Sequence, residues 1–329
     1  MEFDNPLPGV PDVESPFFEA LFAAKGLSPT TLAIARSLHE RGYAVINFPD
    51  TEFEARAERI KARLGADFDF DHWRAVLHPA HDGLRAQDAW TSDPDVRAIA
   101  ANPVVLRLLG ELYGRPAFPF QTLNFATGTQ QAVHSDTAHF SSAPEGFMCG
   151  VWVALEDADD DNGALVYYPG SHRLPHYTNE QLGVLSAVQA DRTAHYGHYV
   201  RLWRELAEVH GLKAETFHAR KGQALIWSAR LLHGGALHRD TGRTRWSQVT
   251  HYYFDGCVHH TPLLSDPLYG SPYYRDAVDI VTGEARPNML SGHQVPDEVI
   301  ARARGLPTSA PARLRHRLGR LKARLLGQG

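Results

Sequence analysis

The sequence predicts a mainly β protein in which helices flank an antiparallel sandwich or barrel. Two observations carry this. From about Gln121 to Phe254, short β-rich segments alternate with Gly, Pro, Asn and Asp, the punctuation of a many-stranded antiparallel fold. Ahead of that stretch, apolar residues recur at helical spacing with one strand-like run between them. The 329 residues are enough to bury a sizeable core, and 43% hydrophobic with 22% charged residues is the composition of an ordinary globular chain.

The elements follow in order. Residues 1–27 read as an irregular N-terminal arm. Ser28-Pro29-Thr30 sets up a helix start, Leu32, Ile34, Ala35 and Leu38 continue it, and Gly42 stops it. Tyr43 to Phe48 is a strand. A second helix from Glu52 to Leu64 places Phe53, Ala57, Ile60 and Leu64 on one face. A third is expected over Pro94 to Tyr113, ending at Gly114, so the part 28–118 is helical with one strand. In the β core, about 119–256, the strands fall at Gln121 to Phe125, Gly150 to Leu155, Leu165 to Tyr168, Ala224 to Trp227 and Arg245 to Phe254. Between them, 179–210 is polar and rich in Ala and Leu, and reads as a helical or lid-like insertion. No repeat, low-complexity tract or linker divides the chain, so 28–290 reads as one domain.

Charge is uneven. Segment 297–329 carries seven Arg and one Lys against two acids, while the whole chain has a net charge of -5. The remainder is therefore acidic, which argues against a nucleic-acid binder. In the tail, Leu314, Leu318, Leu321 and Leu325 recur between basic residues at helical spacing. Such a stripe suits weak contact with a membrane surface or an acidic partner, although a solvated helix resting on its own domain is the plainer reading. The acidic, proline-bearing start lacks the basic and apolar regions of a signal peptide, and two cysteines make no disulfide framework. A cytoplasmic protein is expected.

The sharpest local feature is His134-Ser135-Asp136. On a strand, side chains two apart point to one face, so a His and a carboxylate there can share a metal. Two His and one carboxylate on one face of an octahedron leave three positions open. His233, in Leu231-Leu232-His233-Gly234-Gly235, is the best third ligand, because its glycines permit close approach. With 19 histidines in the chain, the triplet alone is weak.

The order of the surrounding pieces strengthens it. Arg41-Gly42-Tyr43-Ala44-Val45-Ile46 is followed by Thr122-Leu123-Asn124-Phe125, Gly128-Thr129 and the His-x-Asp pair. Next come Val151-Trp152-Val153-Ala154-Leu155, Asn162-Gly163-Ala164-Leu165, Pro169-Gly170-Ser171-His172 and Lys221-Gly222-Gln223-Ala224-Leu225-Ile226-Trp227, ahead of His233. In this arrangement the stretch from Gly42 to Phe254 resembles the phytanoyl-CoA dioxygenase family of 2-oxoglutarate oxygenases.

The resemblance implies a double-stranded β-helix core of jelly-roll or cupin-like form. It also implies Fe(2+) on His134, Asp136 and His233, with 2-oxoglutarate and O2 as co-substrates. It requires a basic residue for the distal carboxylate of 2-oxoglutarate, and Arg243 and Arg245 both stand where one is expected, with the same strand parity. The family's run matches best from Arg245 to Tyr252, which favours Arg245 and leaves Arg243 as the alternative. Trp152 matches a position lining the co-substrate pocket, and Thr122 and Asn124 share a strand face that could hydrogen-bond the co-substrate. His172 reads as structural, and His251, His259 and His260 as core or surface. Retention of Asp136, which related halogenases lose, favours hydroxylation or another oxidation such as desaturation of a small-molecule substrate, with release of succinate and CO2. The segments expected to select that substrate are Phe140 to Phe147, Asn179 to Val209 and Pro262 to Tyr274. Two other classes stay open: a non-redox zinc enzyme on the same ligands, and a catalytically silent β-helix binding module.

Overall fold

Ser28 and Gly42 bracket the first long helix as their chemistry dictates: the Ser28 hydroxyl accepts from the Thr31 N–H, and Gly42 closes the end at a φ of 83°. A computed structural model describes residues 3–75, 83–186, 192–268 and 272–306. The elements of the N-terminal part are α1 (Phe18–Lys25), α2 (Pro29–Arg41), β1 (Tyr43–Asn47), α3 (Phe53–Gly65), α4 (Phe70–Ala75), β2 (Arg85–Gln87), α5 (Pro94–Ala100) and α6 (Pro103–Tyr113). The β core then runs through β3 (Ala117–Phe125), β4 (Ser141–Ala143), β5 (Met148–Ala154) and β6 (Leu165–Tyr167). After α7 (Asn179–Leu182) and α8 (Arg192–Val209) come β7 (Glu215–Phe217), β8 (Gln223–Ser228), β9 (His233–Gly235), β10 (Ser247–Phe254) and β11 (Val258–His260). Short hairpins and α9 (Asp297–Ala303) follow. Residues 307–329, with the leucine stripe of the basic tail, lie outside the described residues. Among the described residues no helix is long and apolar enough to cross a membrane.

Two sheets form the jelly roll. The larger has the order β1-β8-β5-β10-β3-β2, and the smaller the order β7-β6-β9. Every pairing within them is antiparallel. Period-two alternation sorts the large sheet's residues between its faces. Val151, Val153, Ala224 and Ile226 join Leu38, Ile60 and Leu109 in the core beneath the helices. Trp152, Ala154, Leu225, Trp227 and Val249 instead face the small sheet, packing with Tyr167 and Phe217. The strand β3 contains Pro119 beside a register shift opposite His251 and Tyr252, the kind of irregularity where a sheet tolerates proline.

Two sequence expectations need correction. The N-terminal arm is not irregular: a 3-10 turn at Asp12–Glu14 precedes α1, and Val13, Phe18, Leu21 and Phe22 are buried in the main core. The helix expected over Pro94 to Tyr113 is two helices. The first ends at Ala100 with Ala101 as its C-cap, Asn102 caps the second, its side chain accepting from Val104 and Val105 N–H, and Pro103 occupies the first helical turn, where a missing N–H costs nothing.

Candidate active site

The site lies between the two sheets, where segments distant in sequence are pinned together by backbone pairing. His134 and His233 exchange both backbone hydrogen bonds at 2.9 Å, so the two side chains are placed side by side with ring centroids 4.3 Å apart. The expectation of a strand running through Asp136 holds only in part. Ser135 is extended, but Asp136 begins a 3-10 turn, which brings its carboxylate beneath the two imidazoles. Gly234 and Gly235 have the function their position suggested: a Cβ on Gly234 would lie 2.7 Å from Gln131 O, and one on Gly235 2.8 Å from Gln130 N. Glycine thus lets the 129–132 segment cross β9 closely.

Ligand atoms of His134, Asp136 and His233 all lie within 4.8 Å of one another, and all three residues are buried. The Nδ1 of His134 is 2.9 Å from Ala132 O, and that of His233 is 3.0 Å from Leu231 O. A carbonyl only accepts, so each Nδ1 carries the proton and each Nε2 presents a lone pair to the site. Trp227 Nε1–H donates to Asp136 Oδ2 at 2.7 Å, while Oδ1 lies 3.9 Å from His233 Nε2. Burial, reinforced by the neighbouring His233, pushes His134 down to about 3, keeping it neutral. Burial alone would raise Asp136, but His233, His251 and His134 together with the Trp227 hydrogen bond hold it below the usual carboxylate value. Two imidazole Nε2 atoms and one carboxylate facing a common point suit a divalent transition metal such as iron(II).

Beside the triad is a cavity of about 210 Å³ whose walls include Gln121, Leu123, Trp152, Trp227, Arg245 and His251. Arg245 is only 3% exposed. Its guanidinium donates to Gly163 O at 3.1 Å and to the Ser247 hydroxyl, and its Cζ is 5.5 Å from the Trp152 ring centroid. Burial lowers its pKa to about 10. Arg243 goes elsewhere: it sits in the preceding turn, about two-fifths exposed, paired with Asp159 at 2.8 Å. Shared parity fails to apply because the strand starts only at Ser247.

Thr122 and Asn124 are also placed away from the cavity. Both are fully buried on the helix-facing side, where Asn124 donates to Gln248, whose own amide donates to Val96 O of α5. Their strand neighbours Gln121, Leu123 and Phe125 face the cavity instead. The strand β3 is covered on both faces, so polarity does not reveal which face is which. Sequence reading missed the contacts of Trp227 and set His251 aside as core or surface. His251 Nδ1 lies 3.1 Å from Gln121 Oε1 and its Nε2 3.7 Å from Asp136 Oδ2. Strand parity with Leu225 and Val249 was the available signal for both. His172 packs over Gly42, with Nε2 3.1 Å from His39 O, as a structural residue.

A family model described as phytanoyl-CoA dioxygenase (PhyH) matches residues 38–245, well over half of the chain. The chain belongs to the phytanoyl-CoA dioxygenase family. The match takes in the triad and ends on Arg245. Curated relatives include phytanoyl-CoA dioxygenase domain-containing protein 1 of Rattus norvegicus, 24% identical across 41% of this chain and 56% of that protein. The same protein of Danio rerio is 37% identical across 22% of this chain and 21% of its own length. The chain thus spans little more than half the length of these family members, or less. Among solved structures, the non-heme alpha ketoglutarate dependent epimerase SnoN from nogalamycin biosynthesis superposes with a TM-score of 0.53 at 19% identity, covering 81% of this chain and 93% of its own. EctD from S. alaskensis with bound Fe gives 0.51 at 20% identity, covering 75% and 86%. At that identity the likeness is one of fold, and it agrees with the jelly roll described above.

Proposed function

We propose that the protein is an iron(II)- and 2-oxoglutarate-dependent dioxygenase that hydroxylates an unactivated C–H bond of a small molecule. The observation carrying this reading is Arg245, a buried cation with no carboxylate partner among the described residues, in the same small cavity as three metal-type ligands. A buried charge is costly until an opposite charge meets it, so the occupant should bring an anion. A keto acid with a second carboxylate satisfies both ends: one carboxylate and the keto oxygen suit the metal, and the other suits the planar guanidinium fork. Water activation by zinc on the same triad would leave Arg245 without an anionic partner among the described residues.

The residues divide the work. His134 and His233 present Nε2, and Asp136 presents Oδ1 while Trp227 holds its other oxygen. Gly163 O and the Ser247 hydroxyl aim the Arg245 guanidinium over Trp152. Iron(II) with 2-oxoglutarate and O2 supplies the oxidation when bound, one oxygen atom entering the substrate and the other the succinate released along with CO2. Leu123, Phe125 and Val249 line the cavity, and Tyr196 and Trp203 of α8 lie against His139 and His134 with centroids 4.9 and 6.4 Å apart, which gives the site apolar walls.

The reading is tested by succinate formation with iron(II), 2-oxoglutarate and air. Arg245→Ala is expected to raise the 2-oxoglutarate concentration for half-maximal rate roughly 10- to 100-fold, the loss of charged hydrogen bonds worth about 1.5–3 kcal/mol. Arg245→Lys should recover part of it. An unchanged requirement in a folded Arg245→Ala protein would contradict the assignment.

A further inference from the structure

The catalytic cavity continues into a second, larger space. A groove of about 600 Å³ shares Arg85, Phe125, Thr129 and Gln131 with the catalytic cavity, so the two are contiguous. Its remaining wall is formed by Gly83, Ala132 and one face of α8, on which Tyr196, Gly197, Val200, Arg201 and Arg204 follow at helical spacing. Three arginines and no acidic residue line it among the described residues.

Helix α8 turns one face inward and an adjacent one to the groove, with Tyr196 and Val200 at the boundary between them. Tyr199, Trp203 and Ala207 are buried with Ala138, Leu232 and Leu263, which leaves the adjacent face to the groove. The helix is also anchored: Tyr199 OH donates to Asn179 Oδ1 at 2.8 Å, and Asn179 Nδ2 donates to Ser265 O at 2.9 Å. The basic side chains therefore project from a fixed support. Arg201 meets Glu205 at 2.8 Å, but both are well exposed and such an i,i+4 pair is weak in water. Arg204 has no acidic partner among the described residues. Gly197 has no atom within 4 Å of where its Cβ would stand, so a better helix former would fit there, and glycine's effect is to keep the groove wall low.

We propose that this groove is the substrate's subsite and that it takes an organic anion, whose carboxylate or phosphate meets Arg201 and Arg204 while its apolar part extends past Phe125 and Val200 toward the triad. The inference rests on the dioxygenase reading, in which 2-oxoglutarate fills the smaller cavity and satisfies Arg245. The groove then has positive side chains of its own in Arg201 and Arg204, a low wall at Gly197 and mixed apolar surface, the features of a site for an amphiphilic anion.

The test uses the full chain loaded anaerobically with iron(II) and 2-oxoglutarate, titrated with 2-naphthoate and with its uncharged analogue 2-naphthamide and followed by ligand-observed NMR. The naphthoate should bind more tightly than the amide, and added salt should weaken it. Replacing both Arg201→Ala and Arg204→Ala should cost the naphthoate about tenfold or more in affinity and leave the amide unchanged, and Arg204→Lys should retain most of the binding. Gly197→Phe, which changes no charge, should weaken both probes. Equal affinity for the two, indifference to the arginine substitutions, or no binding at millimolar concentration would overturn the subsite. The visible charge-transfer band of a keto acid on ferrous iron, read in the same sample, separates the failures. A band without anion preference overturns the subsite alone, whereas absence of the band overturns the dioxygenase reading and the subsite with it.

Discussion

Trp227 lies beneath the triad because Gly150 makes room for it: a Cβ on Gly150 would stand 2.2 Å from the indole ring. The indole N–H then fixes one oxygen of Asp136, which would leave the other to a metal held by the triad. Groups that orient ligands in this way typically change metal affinity by tenfold to a hundredfold. Trp227→Phe, which keeps an aromatic ring and loses the donor, should weaken iron(II) binding by about that range, roughly 10- to 100-fold, in a competition titration, with the fold retained. Unaltered affinity would make the indole a packing residue only. The sequence made the triad legible because His-x-Asp and His-Gly-Gly carry their chemistry in residue type and spacing. It did not make Trp227, His251 or Gln121 legible, since their contribution depends on which face of a doubly covered strand they occupy. The same ambiguity sent Thr122 and Asn124 to the wrong side.

Helices α3 and α5 are joined by charge as well as by packing. Arg56, Arg59 and Arg63 of α3 surround Asp95 of α5, and Arg63 also holds Asp93, the residue capping that helix. Hydrogen bonds from Arg59 lead, with Arg63 and Arg56, in lowering the Asp95 pKa against the opposing effect of burial. A carboxyl depressed in the folded state adds stability above its unfolded pKa, about 3.9, and loses it as pH falls through the lower folded value. Asp95→Asn is therefore expected to destabilise by roughly 2 kcal/mol near neutral pH, less than a fully buried pair because Arg59 and Arg63 are nearly half exposed. Urea unfolding should show that gap narrowing as pH drops below about 4. A gap independent of pH would remove the ion pairs from the account. Element boundaries were legible where a cap stood at the edge of an apolar run, as at Ser28 and Gly42. Asn102-Pro103 was such a mark within an apolar run long enough to read as one helix. The N-terminal segment hid its helix behind a proline-bearing approach, although Phe17, Phe18, Leu21 and Phe22 carry helical spacing.

Across the whole molecule, the jelly roll explains why His134 and His233, nearly a hundred residues apart in sequence, are neighbours. Antiparallel winding pairs His134 with His233, and β10 presents His251 from between β5 and β3. Many short strands made this class of fold predictable, but register and facing emerge only when the two sheets close on one another. The cavity between them places a metal-type triad beside Arg245, a buried arginine with no acidic partner among the described residues, and the dioxygenase reading stands on that juxtaposition. The most direct test is anaerobic titration of the metal-free protein with iron(II) and then 2-oxoglutarate. The account predicts a weak charge-transfer band near ~500 nm, as expected for a keto acid chelating ferrous iron on a two-histidine, one-carboxylate face. It predicts loss of the band in His134→Ala and Asp136→Ala. Iron shown to be bound with no such band would contradict the account.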